Sequence, residues 1–212
     1  MPVKTDGSHN HEFTGVDINL TNAPGNSIYD QQYNSVLLLL QNAVILEFGG
    51  ATEDEIVAII GDSLFIPIKL TSQTQHSLPS GTSFSREAWL EIQVLNKETG
   101  ELLFSSGLIA DSSDLNINDE NLLLFTSYLL DENGDTTNSV SQTHDIIKQM
   151  LPASPPRYHT YKFVGDFNLV NEFEISIRMK FRAFKPHLLR NEHPELLTNL
   201  PVFEMARIDT TY

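Results

Sequence analysis

The sequence predicts a mainly β protein: an antiparallel β-sandwich, immunoglobulin-like or jelly-roll-like, with one N-terminal α-helix. Three observations predict it. After Gly49-Gly50 apolar residues recur at period two over most of the chain, the mark of strands with one buried face. About eight such stretches are separated by turn residues, which argues for two facing sheets. Before that point a single stretch carries apolar residues at helical spacing, so one helix is expected beside the sheets.

Residues 1–26 are polar and turn-rich and read as an extended histidine-containing segment, with 16–20 (VDINL) alternating like a short strand. Tyr29, Tyr33, Val36, Leu37, Leu40 and Ala43 then fall on one helical face, giving a helix over about 28–43 with Ser27 and Asp30 as a capping pair. The stretches 55–60, 63–72, 87–96, 101–106, 121–130, 157–164, 172–184 and 202–211 read as strands. Two of them alternate cleanly. Leu90, Ile92 and Val94 oppose Trp89, Glu91 and Gln93, and Phe173, Ile175, Ile177, Met179 and Phe181 oppose Glu174, Ser176, Arg178, Lys180 and Arg182. Such patterns predict sheets with one face toward water. Residues 95–102 form a hairpin loop with Gly100 free to take a left-handed conformation, and Asn133-Gly134 tip a second turn. Residues 141–151 fit a short helix or a loop crossing between sheets, and the prolines of 152–156 make a stiff connector. No linker divides residues 27–212, which read as one sandwich domain.

The chain has 212 residues, 40% of them hydrophobic and 19% charged, as in a globular protein. Thirteen basic residues against 28 acidic ones leave a net charge of -15. Such a chain repels nucleic acid and anionic lipid, whose binding depends on neutralising phosphates. Cysteine is absent, which excludes disulfides, thiolate metal sites, cysteine nucleophiles and thioether attachment of haem. No apolar run reaches the ~18 residues that span a bilayer, and no secretory signal opens the chain.

Candidate chemistry rests on histidines and acidic loops. A neutral imidazole ligates iron, zinc or copper. His9 and His11 share one face of an extended segment, and His76 sits on a loop at the end of a strand, where Pro79 and Gly81 turn the chain sharply before the next strand. Asp111, Asp114 and Asp119 in one loop, and Asp131, Asn133 and Asp135 in another, offer oxygens of the kind calcium takes. The second loop departs from an EF-hand: its glycine, Gly134, comes too early, and Gln142 stands where the bidentate glutamate would be. No HExxH, GxSxG or glycine-rich phosphate loop is present, so the chain is expected not to be an enzyme.

Several of these stretches together resemble one family, the non-haem β-rich domain at the C-terminal side of certain bacterial multihaem c-type cytochromes. They are HNHEFTGVDINL at 9–20, LLLLQNA in the helix, the His-x-Leu-Pro-x-Gly loop with its following Arg and Trp-Leu-Glu at 76–107, LLLFTSYLLDENGD, 175–190 and 199–212. The resemblance covers nearly the whole chain, and the His76 loop is its most specific part.

In that family the histidine-rich segment follows a haem-binding Cys-x-x-Cys-His continued by Met-Pro. This chain begins Met1-Pro2, so the resemblance implies an excised domain or a misplaced start, with the haems upstream. No Cys-x-x-Cys-His remains here. Haem c is therefore expected in the parent protein or a partner, with His9, His11 and His76 as candidate distal ligands. His9 and His11 are not expected on one iron, whose axial positions lie on opposite faces of the ring. The implied role is a non-catalytic accessory domain in electron transfer, docking on a haem-bearing region, periplasmic or extracellular, without membrane insertion. The alternative is an independent extracellular binding or adhesion module assisted by calcium.

Overall fold

A computed structural model describes residues 15–110 and 113–212. In order it contains α1 (Ser27–Gln41), β1 (Val44–Phe48), β2 (Ala58–Ile60), β3 (Ser63–Ser72), β4 (Glu87–Asn96), β5 (Leu102–Ser106), β6 (Leu124–Leu130), β7 (Thr136–Thr137), β8 (Asp145–Gln149), β9 (Arg157–Val164), β10 (Phe173–Arg182), α2 (Pro186–Glu192) and β11 (Phe203–Thr211). The strands form two antiparallel sheets, so the expected mainly β, two-sheet architecture with an N-terminal helix holds.

One sheet is built on β3, with β1 and β2 along it and β9 paired to it as well. The other runs β11-β10-β4-β6-β7, with β5 paired to β4 and β8 to β6. Leu64, Ile66, Ile68 and Leu70 of β3 share one core cluster with Leu90, Ile92 and Val94 of β4 and Ile175, Ile177 and Met179 of β10. All ten have no measurable exposure. Each fully buried aliphatic side chain contributes ~1.5–3 kcal/mol of transfer free energy, so this alternation is the main force holding the sheets together.

The helix is capped one residue before the expected Ser27. Asn26 is the N-cap and accepts from the Ile28 amide (2.9 Å), while Asp30 reaches back to the Gly25 amide (3.1 Å). Tyr29, Val36 and Leu40 are buried as the spacing predicts, and Tyr33 stacks on Phe203 of β11 with ring centroids 4.9 Å apart. The 16–20 stretch buries Ile18 and Leu20 in alternation but joins no strand. It is tied instead by Asn19 N–H to Gln32 Oε1 (3.1 Å) and by Asn199 Nδ2 to the Leu20 carbonyl (2.9 Å).

Other elements also depart from the sequence reading. Residues 141–151 hold neither a continuous helix nor a plain loop: a short 3-10 turn at Val140–Gln142 leads into strand β8. The apolar run after Asn42 becomes β1, because Asn42 ends the helix and Val44 and Leu46 then point inward. A second helix, α2, and the Pro194–Asn199 3-10 segment follow β10. Finally, β4 is buried on both faces. Trp89 has no exposure, packed against Leu115, Leu122 and Ile109 from the β5–β6 connection, and Glu87 and Glu91, ion-paired with Arg182 and Arg178, are 5% and 8% exposed.

His159, opposite Ile68 at the edge of the first sheet, meets Tyr161 edge-on at 4.6 Å. Burial, aided by nearby Arg157, holds its pKa below the usual histidine value, and burial does the same for His187 against the pull of Asp114. The unfolded chain therefore binds more protons than the fold as pH falls below the ordinary histidine value. This contribution to stability is complete above that value and lost as pH falls toward the depressed folded one. His159→Gln is expected to reduce the drop in urea midpoint between pH 7.5 and pH 5.5. An unchanged drop would remove His159 from the acid response.

Candidate functional site

The His76 loop is built by short local bonds between rigid strands. After β3, Thr74 Oγ1 donates to the His76 carbonyl (2.6 Å), and Leu78 and Leu151 exchange both backbone hydrogen bonds. Gly81 follows at φ +69°, a conformation that favours glycine, and a Cβ there would lie 2.8 Å from Arg86 Nη1 and push that guanidinium aside. Arg86 donates from Nη1 to the Ser80 carbonyl and from Nη2 to both Asp17 oxygens (3.0 and 2.8 Å). One guanidinium nitrogen thus holds both carboxylate oxygens while the other holds the loop's own backbone. Asp17 lies within the histidine-containing segment of residues 1–26, so Arg86 fastens that part of the segment to the His76 loop. Neither the pairing nor this closeness is readable from residues 69 apart in sequence.

His76 is exposed, and its Nδ1 lies 3.2 Å from the Ser77 carbonyl oxygen. With Nδ1 donating there, Nε2 carries the lone pair, the tautomer that ligating histidines use. The ring borders a cleft of ≈ 510 Å³ whose walls include Val16, Leu40, Leu78, Pro79 and Phe181, with Arg86 as its cation. A second cleft of ≈ 740 Å³ on the other side of the loop also includes His76 and Ser80. No aspartate or glutamate is among the described residues lining either one. On a chain of net charge -15 this makes the His76 loop a ridge between two carboxylate-free concavities. The first cleft thus offers apolar walls and one exposed imidazole nitrogen, and its guanidinium is held by Asp17 and the Ser80 carbonyl.

The other candidates are placed differently. His9, His11 and Asp111 lie outside the described residues. Asp114 accepts from the His187 amide (3.0 Å) and from Arg190 (2.8 Å), which holds the start of α2. Asp119 accepts from Ser106 Oγ (2.7 Å) and the amides of Gly107 and Asn121 (3.0 Å each). Asp131 accepts from the amides of Asn133 (2.9 Å) and Asp135 (3.0 Å) and so shapes the β6–β7 turn. These three carboxylates serve three separate pieces of backbone. Among the described residues no group of three or more His, Asp or Glu side chains is placed to hold a metal ion.

A buried charged group, absent from the expected candidates, lies under the loop carrying Asp114. Glu87 and Arg182 face each other across β4 and β10 and are ion-paired, and Arg182 lies over Trp89 at 5.3 Å and donates to the Ser113 carbonyl (2.7 Å). Lys185 donates to the Ser127 carbonyl (3.2 Å) and sits over Tyr128 at 4.8 Å. Burial pushes the Glu87 carboxyl up against the pull of Arg182, and pushes the Lys185 amine down. The signal available in the sequence was a glutamate and an arginine on outward positions of adjacent strands, which water-facing pairs share.

The fold, two antiparallel sheets with an N-terminal helix, is similar to part of a multihaem cytochrome. That cytochrome is the penta-heme cytochrome c552 from Thermochromatium tepidum: the structures superpose with a TM-score of 0.59 at 14% identity, over 83% of this chain and 41% of that one. The likeness is one of fold, and this chain spans less than half of the cytochrome's length. No protein-family profile and no curated protein matches the chain. Among the described residues no helix is long and apolar enough to cross a membrane.

Proposed function

We propose that this chain is a non-catalytic accessory domain of a multihaem cytochrome, set against its haem-bearing region with the His76 cleft toward a haem edge. The observation that carries the reading is the fold shared with part of a penta-heme cytochrome. The carboxylate-free cleft with its exposed imidazole supports it. With no cysteine in the chain, the haem is one attached elsewhere. The haem supplies the redox change. This chain's residues exclude water from its edge through Val16, Leu78 and Pro79 and offer His76 Nε2 as a distal ligand. His9 and His11 are the alternatives for that ligand. The domain then works in electron transfer in the periplasm or outside the cell.

Two measurements test this. The reading frame upstream of the Met1 codon should carry Cys-x-x-Cys-His codons or adjoin a cytochrome gene. A closed frame with no cytochrome nearby would favour an independent binding module. Second, a ferric c-type haem peptide with an open sixth position should turn low-spin when this domain is added, with a Soret shift that His76→Ala removes. A shift that survives in His76→Ala moves the ligand role to His9 or His11.

A further inference from the structure

We infer that the free edge of β9 receives an extended acidic segment of a partner chain, which adds to the first sheet as a further antiparallel strand.

The direction of this edge follows from bonds at both ends of the sheet. The Gln73 amide donates to the Ala43 carbonyl (2.8 Å), and the Gly49 amide donates to the Pro67 carbonyl (2.9 Å). Backbone groups of alternate residues point to the same side. Odd-numbered residues of β3 therefore bond toward β1, and Leu64, Ile66, Ile68 and Leu70 bond toward β9, opposite Phe163, Tyr161, His159 and Arg157. At the far end the Gly165 amide donates to the Asp62 carbonyl (2.9 Å), in the same parity. Tyr158, Thr160, Lys162 and Val164 thus turn their N–H and C=O away from β3. β9 pairs with β3 alone, and none of these outward groups has a partner among the described residues. The four side chains share one face of the strand, and all are exposed. Such a row of unpaired backbone groups is a template for another strand.

The side chains along the edge say what the incoming segment carries. β9 reads RYHTYKFV and holds no acid. Arg157 and Lys162 have no carboxylate partner among the described residues, and Lys162 lies over the Phe65 ring at 5.6 Å. In a chain with 28 acidic and 13 basic residues, two unpaired cations on one edge strand mark a place for carboxylates. Lys162 also turns away a strand that would set a cation opposite it. On the same face Val164 is 70% and Tyr158 40% exposed, and apolar cross-strand neighbours suit both. The cleft at the Tyr158 end is lined by Glu47, Glu53 and Glu55, which disfavours an acid opposite Tyr158. The segment therefore presents apolar, acidic, polar and apolar side chains opposite Val164, Lys162, Thr160 and Tyr158, and a second acid opposite Arg157. A second copy of this chain is the poorer occupant, because two bodies of charge -15 repel. Main-chain bonds supply affinity in this mode and the alternate side chains supply selectivity.

The test uses two capped fluorescent octapeptides, Val-Thr-Glu-Thr-Thr-Thr-Val-Glu and the same sequence with Lys for both Glu, read by anisotropy against the whole chain. The Glu peptide is expected to bind at least about tenfold more tightly, since like charges across a contact are penalised. Lys162→Glu combined with Arg157→Glu should reverse that preference. N-methylation of the peptide's fifth residue, whose amide meets Thr160, should abolish binding. N-methylation of its fourth residue, whose amide points away, should leave binding intact. Thr160→Pro removes an outward N–H but no bond to β3, a place where edge strands accept proline, and should abolish binding while the circular dichroism spectrum stays that of the parent. Equal binding of the Glu and Lys peptides, no binding at millimolar concentration, or equal binding of the two methylated peptides would overturn the proposal. So would a dimer in solution that Thr160→Pro dissociates, because the edge would then belong to a second copy.

Discussion

Glu87→Ala is expected to lower the unfolding free energy by about 3–5 kcal/mol, the usual cost of leaving a buried charge without its partner. The geometry explains the size. Arg182 is 1% exposed, and its Nη2 already has no hydrogen-bond partner. Its neighbours are Glu87, the Trp89 ring and the Ser113 carbonyl. Removing the carboxylate leaves a guanidinium held by one carbonyl and one π face. Replacing both members, Glu87→Met with Arg182→Leu, should recover most of the loss, because a buried ion pair is worth little beyond an apolar pair of the same volume. Urea unfolding of the two single variants and the double variant checks this. A loss below about 1 kcal/mol in Glu87→Ala would mean that water reaches Arg182 and that the pair is not buried as described.

Gly107→Ala should be comparably damaging, at about 3 kcal/mol or more, from ~1–2 for a left-handed conformation with a Cβ and the rest from overpacking. Gly107 has φ +69°, and a Cβ would stand 2.2 Å from the Leu90 carbonyl oxygen. The residue has no freedom to move away. Its amide donates to Asp119 (3.0 Å), and its carbonyl accepts from Trp89 Nε1 (2.9 Å). Gly134→Ala is the control. It has φ +83° but nothing within 4 Å of the added carbon, so it should cost only the conformational share. Trp89 is the one tryptophan of the chain, and its fluorescence reports directly on the site. An emission maximum unchanged in Gly107→Ala, with a midpoint equal to that of Gly134→Ala, would contradict the close approach.

Much of the architecture was legible because strand burial has a short period. The alternation in β10 named Phe173, Ile175, Ile177, Met179 and Phe181 as inward, and all five are 1% exposed or less. The helix face from Tyr29 to Leu40 was legible for the same reason. β8 was not. Its sequence, DIIKQ, puts isoleucines on both faces, and all five side chains are exposed, so no period two exists to be read. β1 was hidden because four leucines and the strand residues merge into one apolar run, broken only by Gln41 and Asn42. The candidate site was half legible. A histidine before Leu-Pro-x-Gly marked the loop, but the Asp17–Arg86 tie that brings the histidine-containing segment to it joins distant residues.

By itself the sequence determined the absence of covalent haem, the acidic charge, the two-layer antiparallel architecture and the inward face of most strands. These are properties of composition or of a few consecutive residues. Only the tertiary structure decided that Trp89 and Glu87 are buried, that Asp114, Asp119 and Asp131 act as backbone staples, and that His76 stands between two carboxylate-free clefts. Each of those depends on what a distant segment lays against the residue, and side-chain periodicity along one strand carries no information about what covers its other face.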